Sequence, residues 1–280
     1  MATSPRRVKK IHLGNADWIA LLSQCIDSIG TEIFSSNLVT ALKSVAPFDY
    51  SVYFAYHQND KPLCLHHTFS PVKRTIFVDD YLNGPYLLDP FFKACDRKVD
   101  AGLYRLRDIA PDRFYQSEYY RSYYVQTGLA EEICYIVYPV SGVAVAVSLM
   151  RAGDNSRFSA REFKLLSSIV SIINSLAQRH WHALHTRFDD QPSGLKTSDN
   201  RTLIEDTVIN ALFGSRITPR ETQVVAQVLE GHSSDAIARS LGISVGTVRI
   251  HRRNIYAKLQ ISSQQELFSI FFQKIKTLRT

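Results

Sequence analysis

Residues 217 to 267 read ITPRETQVVAQVLEGHSSDAIARSLGISVGTVRIHRRNIYAKLQISSQQEL, and helix signals follow one another through them without a gap. Thr218, Pro219 and Glu221 stand as N-cap hydroxyl, first-turn proline and reciprocal N3 carboxylate. Val224, Val225, Val228 and Leu229 then supply one apolar face, and Gly231 ends the helix. Ser233 or Ser234 caps a second, short helix with Ile237, Ala238 and Leu241 as its buried stripe. Gly242-Ile243-Ser244 turns the chain into a longer helix whose Val248, Ile255 and Leu259 face inward. Ser263-Gln-Gln-Glu266 opens a last helix carrying Leu267, Ile270 and Phe271.

The charge sits where this string sits. The 280-residue chain has a formal net charge of +7; residues 216–280 hold 10 Lys/Arg against 4 Asp/Glu, residues 1–10 add +4, and residues 11–215 are slightly acidic, 19 against 22. A concentrated cationic patch gains from counterion release on a polyanion, so nucleic acid is the leading partner. Cys25, Cys64, Cys95 and Cys134 are widely spaced without CxxC or zinc-type spacing and read as reduced core thiols, which implies the cytoplasm. No signal-peptide core and no run of about 18 apolar residues is present, so no membrane association is expected.

Two helices joined by a three-residue glycine turn, the second one basic, form a helix-turn-helix. The string closely resembles the C-terminal domain of the LuxR/FixJ/NarL family, a four-helix DNA-binding unit. The start Thr218-Pro219-Arg220-Glu221, Gly231, Ile237-Ala238, Leu241, Ile243-Ser244, Thr247-Val248, His251, Lys258-Leu259 and Glu266-Leu267 carry the resemblance. One departure is Asp235-Ala236, where many members have Lys-Glu. Gly246, Arg249, Ile250 and Arg253 share the face opposite the buried stripe, so Arg249, Ile250 and Arg253 are expected to read bases, the two arginines through guanine and Ile250 through a thymine methyl. The resemblance places the family's base-reading positions at these same residues. Ser233, Arg239, Ser244, Thr247, Arg252 and Lys258 are the expected phosphate contacts, and His251 is assigned to helix packing. A module of this size implies a homodimer on inverted-repeat double-stranded DNA, with Leu267, Ile270 and Phe271 as the dimer contact.

Upstream, residues 11–186 mix periodicities. Helical spacing at Trp18 to Ile29 and Ile33 to Leu42, strand pairs at 50–57/63–69 and 132–140/143–150, helix starts at Ser70-Pro71 and Asp89-Pro90, and a Ser159 to Glu162 capping box opening a helix to about Thr186 give an α+β unit. Helices flanking a central antiparallel sheet make an α/β/α sensor-like domain of the PAS/GAF kind, followed by an all-α reader at 214–280. Residues 187–213 are the expected linker and connecting helix, Pro-, Gly-, Ser- and Asp-rich at first, amphipathic from Leu203 to Phe213.

Thirteen of the 14 tyrosines lie between Tyr50 and Tyr138, with Tyr115, Tyr119, Tyr120, Tyr123 and Tyr124 in one dense patch. Rings with polar tips suit a pocket for an aromatic or amphipathic effector, and the expected lining is Tyr53, Tyr81, Asp89, Tyr104, Tyr119 and Tyr123. Asp89-Pro90 resembles the Asp-Pro pair of acyl-homoserine-lactone sensors in the family, where the Asp binds the ligand amide. The companion aromatic positions fall at Ile76, Asp80 and near Tyr104, so a standard acyl-homoserine lactone is disfavoured. Asp79-Asp80 stands in the wrong place for a phosphoacceptor receiver domain. His180, His182 and His185 lack the carboxylate or Cys companions of a metal site, and no nucleophile–base pair emerges. The expectation is therefore a DNA-binding transcriptional regulator without catalytic activity, metal or cofactor, working with RNA polymerase if it activates. Its first domain senses a small molecule or, alternatively, receives a protein partner.

Overall fold

A computed structural model gives the fold, and residues 16–58, 60–125, 128–153, 157–189, 204–214 and 216–278 are described. The basic arm at residues 1–10 and positions 190–203 of the expected linker lie outside the described residues.

The sheet forms around two hairpins. β1 (Tyr50–His57) pairs antiparallel with β2 (Leu63–His67), and β4 (Leu129–Val140) pairs antiparallel with β5 (Val143–Ala152) through a turn in which Gly142 has φ +81°. β1 also pairs antiparallel with β5, and the short β3 (Gly102–Arg105) adds to β4, giving the order β2-β1-β5-β4-β3. β5 is buried along almost its whole length and β4 through its middle because both sheet faces are covered, so neither strand shows polar alternation.

The pleat separates the faces. Tyr53, Ala55, Tyr135, Val145 and Val147 point into a core closed by α1 (Ala16–Asp27), α2 (Phe34–Val45), α6 (Ala160–Ser168) and α7 (Val170–His180). Val52, Phe54, Tyr56, Ile136, Ala146 and Met150 point to the other side, which is covered by α3 (Pro71–Arg74), the wide-turn segment 75–80, α4 (Pro90–Asp96), α5 (Leu106–Ile109) and the wide-turn segment 120–124. This is the expected α/β/α arrangement. The helix expected from Ser159 to about Thr186 is broken instead, at Ile169, and α7 ends at His180 before the one-turn α8 (Thr186–Asp189). β3, four residues long, is too short for its periodicity to be read.

His180 has a packing role. Its ring stacks on Phe34 at 3.9 Å, and its Nδ1 accepts the Gly30 N–H at 3.0 Å, with burial the main cause that lowers its pKa to about 4.

The C-terminal part comprises α9 (Ile204–Phe213), α10 (Pro219–Glu230), α11 (Ser234–Leu241), α12 (Val245–Leu259) and α13 (Gln264–Leu278). The caps stand as their sequence implied: Thr218 and Glu221 form a reciprocal capping box, and Gly231 (φ +99°) and Gly242 (φ +64°) close α10 and α11 in the left-handed conformation. Val224, Val225, Val228, Leu229, Ile237, Val248, Ile255 and Leu259 are buried. This core is continuous, in one buried cluster, with the side of the sheet that α4 covers.

One buried cation ties the sensor layers together. Arg151 on β5 donates to the Pro47 carbonyl (2.8 Å), the Arg157 carbonyl (2.8 Å) and Glu162 on α6 (2.7 Å), with its guanidinium 4.1 Å above the Phe158 ring. Arg151→Met strands two carbonyls and a carboxylate, and a loss of about 3 kcal/mol is expected in urea unfolding of the full chain.

Candidate DNA interface and ligand cavity

α11, the Gly242-Ile243-Ser244 turn and α12 form the helix-turn-helix. Ser244 caps α12 by accepting the Thr247 N–H at 3.0 Å, and the two hydroxyls lie 2.8 Å apart. Val248, Ile255 and Leu259 hold α12 to its neighbours, which leaves Arg249, Ile250 and Arg253 together on an exposed face. Ile250 is 50% exposed, an isolated apolar side chain at the centre of that face. Arg239 is exposed at the end of α11.

The expected phosphate contacts divide. Ser244, Thr247 and Arg239 sit at or near the solvent side of the motif. Lys258 does not stand free for phosphate: its ammonium is held by both Glu221 carboxylate oxygens at 2.9 and 2.6 Å, the same carboxylate that accepts the Thr218 N–H at 2.8 Å. Arg252 is half-buried and donates to the Tyr256 hydroxyl and to Gln264, both at 3.3 Å, bridging α12 to α13. Ser233 is 6% exposed. Its hydroxyl accepts the Ala236 N–H, and its own N–H donates to Asp112 of the sensor at 2.9 Å.

The expected dimer contact is likewise corrected. Leu267 and Phe271 are buried inside the chain, where α13 packs on α9 and α10, and Ile270 is half-buried against the same core. Leu267 and Phe271 therefore close their own core and offer no outward face, and only Ile270 keeps part of its surface exposed. The exposed large apolar side chains of the helical layer at the other end of the molecule are Ile19, Ile26 and Ile33.

Sensor and reader meet along the end of α10. Lys93 on α4 lies 3.1 Å from Glu230, both largely buried. The Arg113 N–H donates to the Gly231 carbonyl at 3.0 Å, and Tyr123 approaches Phe272 of α13 with ring centroids 6.2 Å apart. Gly231 answers two demands at once, since a Cβ there would sit 3.0 Å from the Phe114 Cα.

Between the sheet and the aromatic segments lies a narrow cavity of about 40 Å³, room for two or three waters. Of the expected lining residues, Tyr81, Asp89, Tyr119 and Tyr123 face it. Tyr53 does not, because the pleat directs it to the opposite core, where it packs against Trp181. Tyr104 does not either: it is half-buried on β3, and its hydroxyl donates to the Asp100 carbonyl at 2.7 Å. Tyr56, Tyr124, Glu132 and Ser148 are the polar groups that sequence reading passed over. Glu132 falls inside an apolar strand, and a carboxylate at a core position was the available signal.

The polar lining is hydrogen-bonded. Asp89 caps α4 by accepting the Phe91 N–H at 2.8 Å and also accepts the Tyr81 hydroxyl at 2.6 Å; Tyr81 in turn lies 2.8 Å from the Tyr56 hydroxyl. Glu132 accepts from Tyr124 at 2.9 Å. Burial raises the pKa of both carboxyls, the Asp89 charge raises Glu132 further, and hydrogen bonds from Tyr81 and the Phe91 N–H restrain Asp89.

These two features define a helix-turn-helix regulator with an α/β/α domain stacked on its reader. Comparison with known proteins agrees. Residues 215–271 match the family model "Bacterial regulatory proteins, luxR family". A relative from Aeromonas salmonicida, "Putative HTH-type transcriptional regulator in exeN 3'region", is 30% identical over 189 residues, covering 68% of this chain and 95% of the relative. The "Monoamine regulon transcriptional regulator" of Klebsiella aerogenes is 45% identical over 53 residues, only 19% of this chain and 23% of that protein. The crystal structure of the VqsR LBD domain from Pseudomonas aeruginosa covers 60% of this chain and 98% of that domain at 24% identity and a TM-score of 0.52, a likeness of fold. The chain belongs to the luxR family of bacterial regulatory proteins and is a transcriptional regulator, not an enzyme. No helix among the described residues is long and apolar enough to cross a membrane.

A pH dependence follows from Glu132. Its folded pKa lies above its unfolded one, so its contribution to stability is present at low pH and lost as pH rises through the folded value. Glu132→Gln should therefore gain thermal stability relative to the parent as pH is raised from about 5 to about 9. Melting curves across that range check this, with a constant difference the contrary result.

Proposed function

We propose that this regulator reads operator DNA through Arg249, Ile250 and Arg253, and that occupancy of the sensor cavity by a small amphipathic effector controls that reading. The observation that carries the control half is that one short helix serves both sites. α4 begins at Asp89 in the cavity wall and, one turn later, presents Lys93 to Glu230 of the reader. Tyr123 works in parallel, with one side on the cavity and the other near Phe272. An effector that moves Asp89 or Tyr123 must alter the contact with the reader, which gives the differential interaction that control requires.

The arrangement described here holds the reader in a restrained state. The Asp112 carboxylate occupies the N-terminus of α11, where exposed N–H groups would suit a DNA phosphate, and Ser233 is covered with it. The base-reading face stays free, so the restraint acts on backbone grip. Release would let two copies bind adjacent half-sites, since one module buries too little surface for operator specificity.

Two measurements test this. Arg249→Ala and Arg253→Ala should each cost about 1 to 3 kcal/mol of discrimination between operator and unrelated DNA; unaltered operator preference in a binding-shift assay would remove them from base reading. Asp112→Ala should bind DNA about 2- to 5-fold more tightly without effector, the range of one charge at a helix terminus. Equal or weaker binding would mean that the contact is structural only.

A further inference from the structure

We propose that the sensor cavity recognises a small amphipathic amine, its ammonium group seated between Asp89 and Glu132 and its apolar end against the aromatic wall. The inference rests on the sensor reading above and adds the chemical class of the effector.

The charge of the lining is one-sided. Two fully buried carboxyls face the cavity, and no Lys, Arg or His is among its described lining residues. Buried carboxyl groups without a cation are unfavourable in a folded core, and here they stand close enough for one to disfavour ionisation of the other. The Tyr81 hydroxyl and the Phe91 and Phe92 N–H groups engage Asp89, and the Tyr124 and Ser148 hydroxyls engage Glu132, but an ionised carboxylate has about four acceptor sites, so each keeps room for a further donor. An ammonium brings three donors and the missing charge. A neutral ligand brings no charge, and an anionic one adds repulsion to desolvation.

A second observation is independent of the acids. Tyr119 is 2% exposed and lines the cavity, and its hydroxyl makes no hydrogen bond to another described residue. The Tyr119 oxygen is thus available in the cavity wall as an acceptor for a ligand donor. Phe54, Tyr81 and Tyr123 also line the cavity, and aromatic rings attract organic cations. Size also constrains the answer. At about 40 Å³ the cavity is narrow, so an amine larger than a few heavy atoms fits only as the wall moves. That wall includes Phe77 and Tyr123, on the two wide-turn segments, a geometry frequent at functional sites.

The test uses the full-length protein and matched ligand triplets: 2-phenylethylamine, 2-phenylethanol and phenylacetate, then octylamine, octanol and octanoate, read by calorimetry and thermal shift. An amine is expected to bind saturably, about tenfold more tightly than its alcohol, with the carboxylate silent. Glu132→Gln should remove that tenfold preference for the amine over its alcohol, and its own melting curve verifies folding. An alcohol or carboxylate binding as well as its amine overturns the amine assignment and spares the sensor. Unchanged amine preference in Glu132→Gln overturns the seat between the two acids. Silence of both triplets overturns the effector reading together with its amine class, while the Asp112→Ala experiment still judges the restraint on the reader by itself.

Discussion

The organisation of the sensor turns on one buried carboxylate. Asp89 caps α4 through the Phe91 N–H and anchors the Tyr81–Tyr56 hydroxyl pair, so a helix start and a cavity wall are fixed by the same two oxygens. A carboxylate in an apolar core is tolerable only when its acceptor sites are used, and satisfying them locks α4 in direction. That direction carries Lys93 to Glu230. Cavity and reader are thus joined through a short element, with Tyr123 beside it, and without a long relay.

The reader is organised by a second carboxylate used twice. Glu221 completes the capping box of α10 and receives the Lys258 ammonium of α12, so the start of the scaffold helix and the end of the recognition helix are held at one point. Arg249 and Arg253 stay exposed, with no side-chain hydrogen bond or ion pair among the described residues. A basic side chain near DNA is free to bind it only if the fold does not already employ it, and Lys258 and Arg252 are employed.

Much of the reader was legible in advance because its determinants are local. Caps, αL glycines and an apolar stripe of period 3.6 act within a few residues, and Thr218, Gly231, Gly242 and Ser244 stand where their local chemistry requires. The sensor was legible as a set of elements but less so as a site. Tyr53 and Tyr104 belong to the same tyrosine-rich region as Tyr81 and Tyr119, and composition has no means of dividing them. The pleat divides them, since Tyr53 is one residue away from the cavity-facing Val52 and Phe54.

By itself the sequence determined the class of protein, the helix-turn-helix, the exposed face shared by Arg249, Ile250 and Arg253, and the α/β/α character of the first domain, because periodicity, capping and charge placement are local quantities. Only the tertiary structure decided which polar groups share a cavity, that Glu132 and Ser148 are among them, that Leu267 and Phe271 serve their own core, and that Asp112 sits on α11. Each of these is a meeting of residues far apart along the chain, set by how the faces of the sheet and the ends of helices are covered, and no local pattern encodes it.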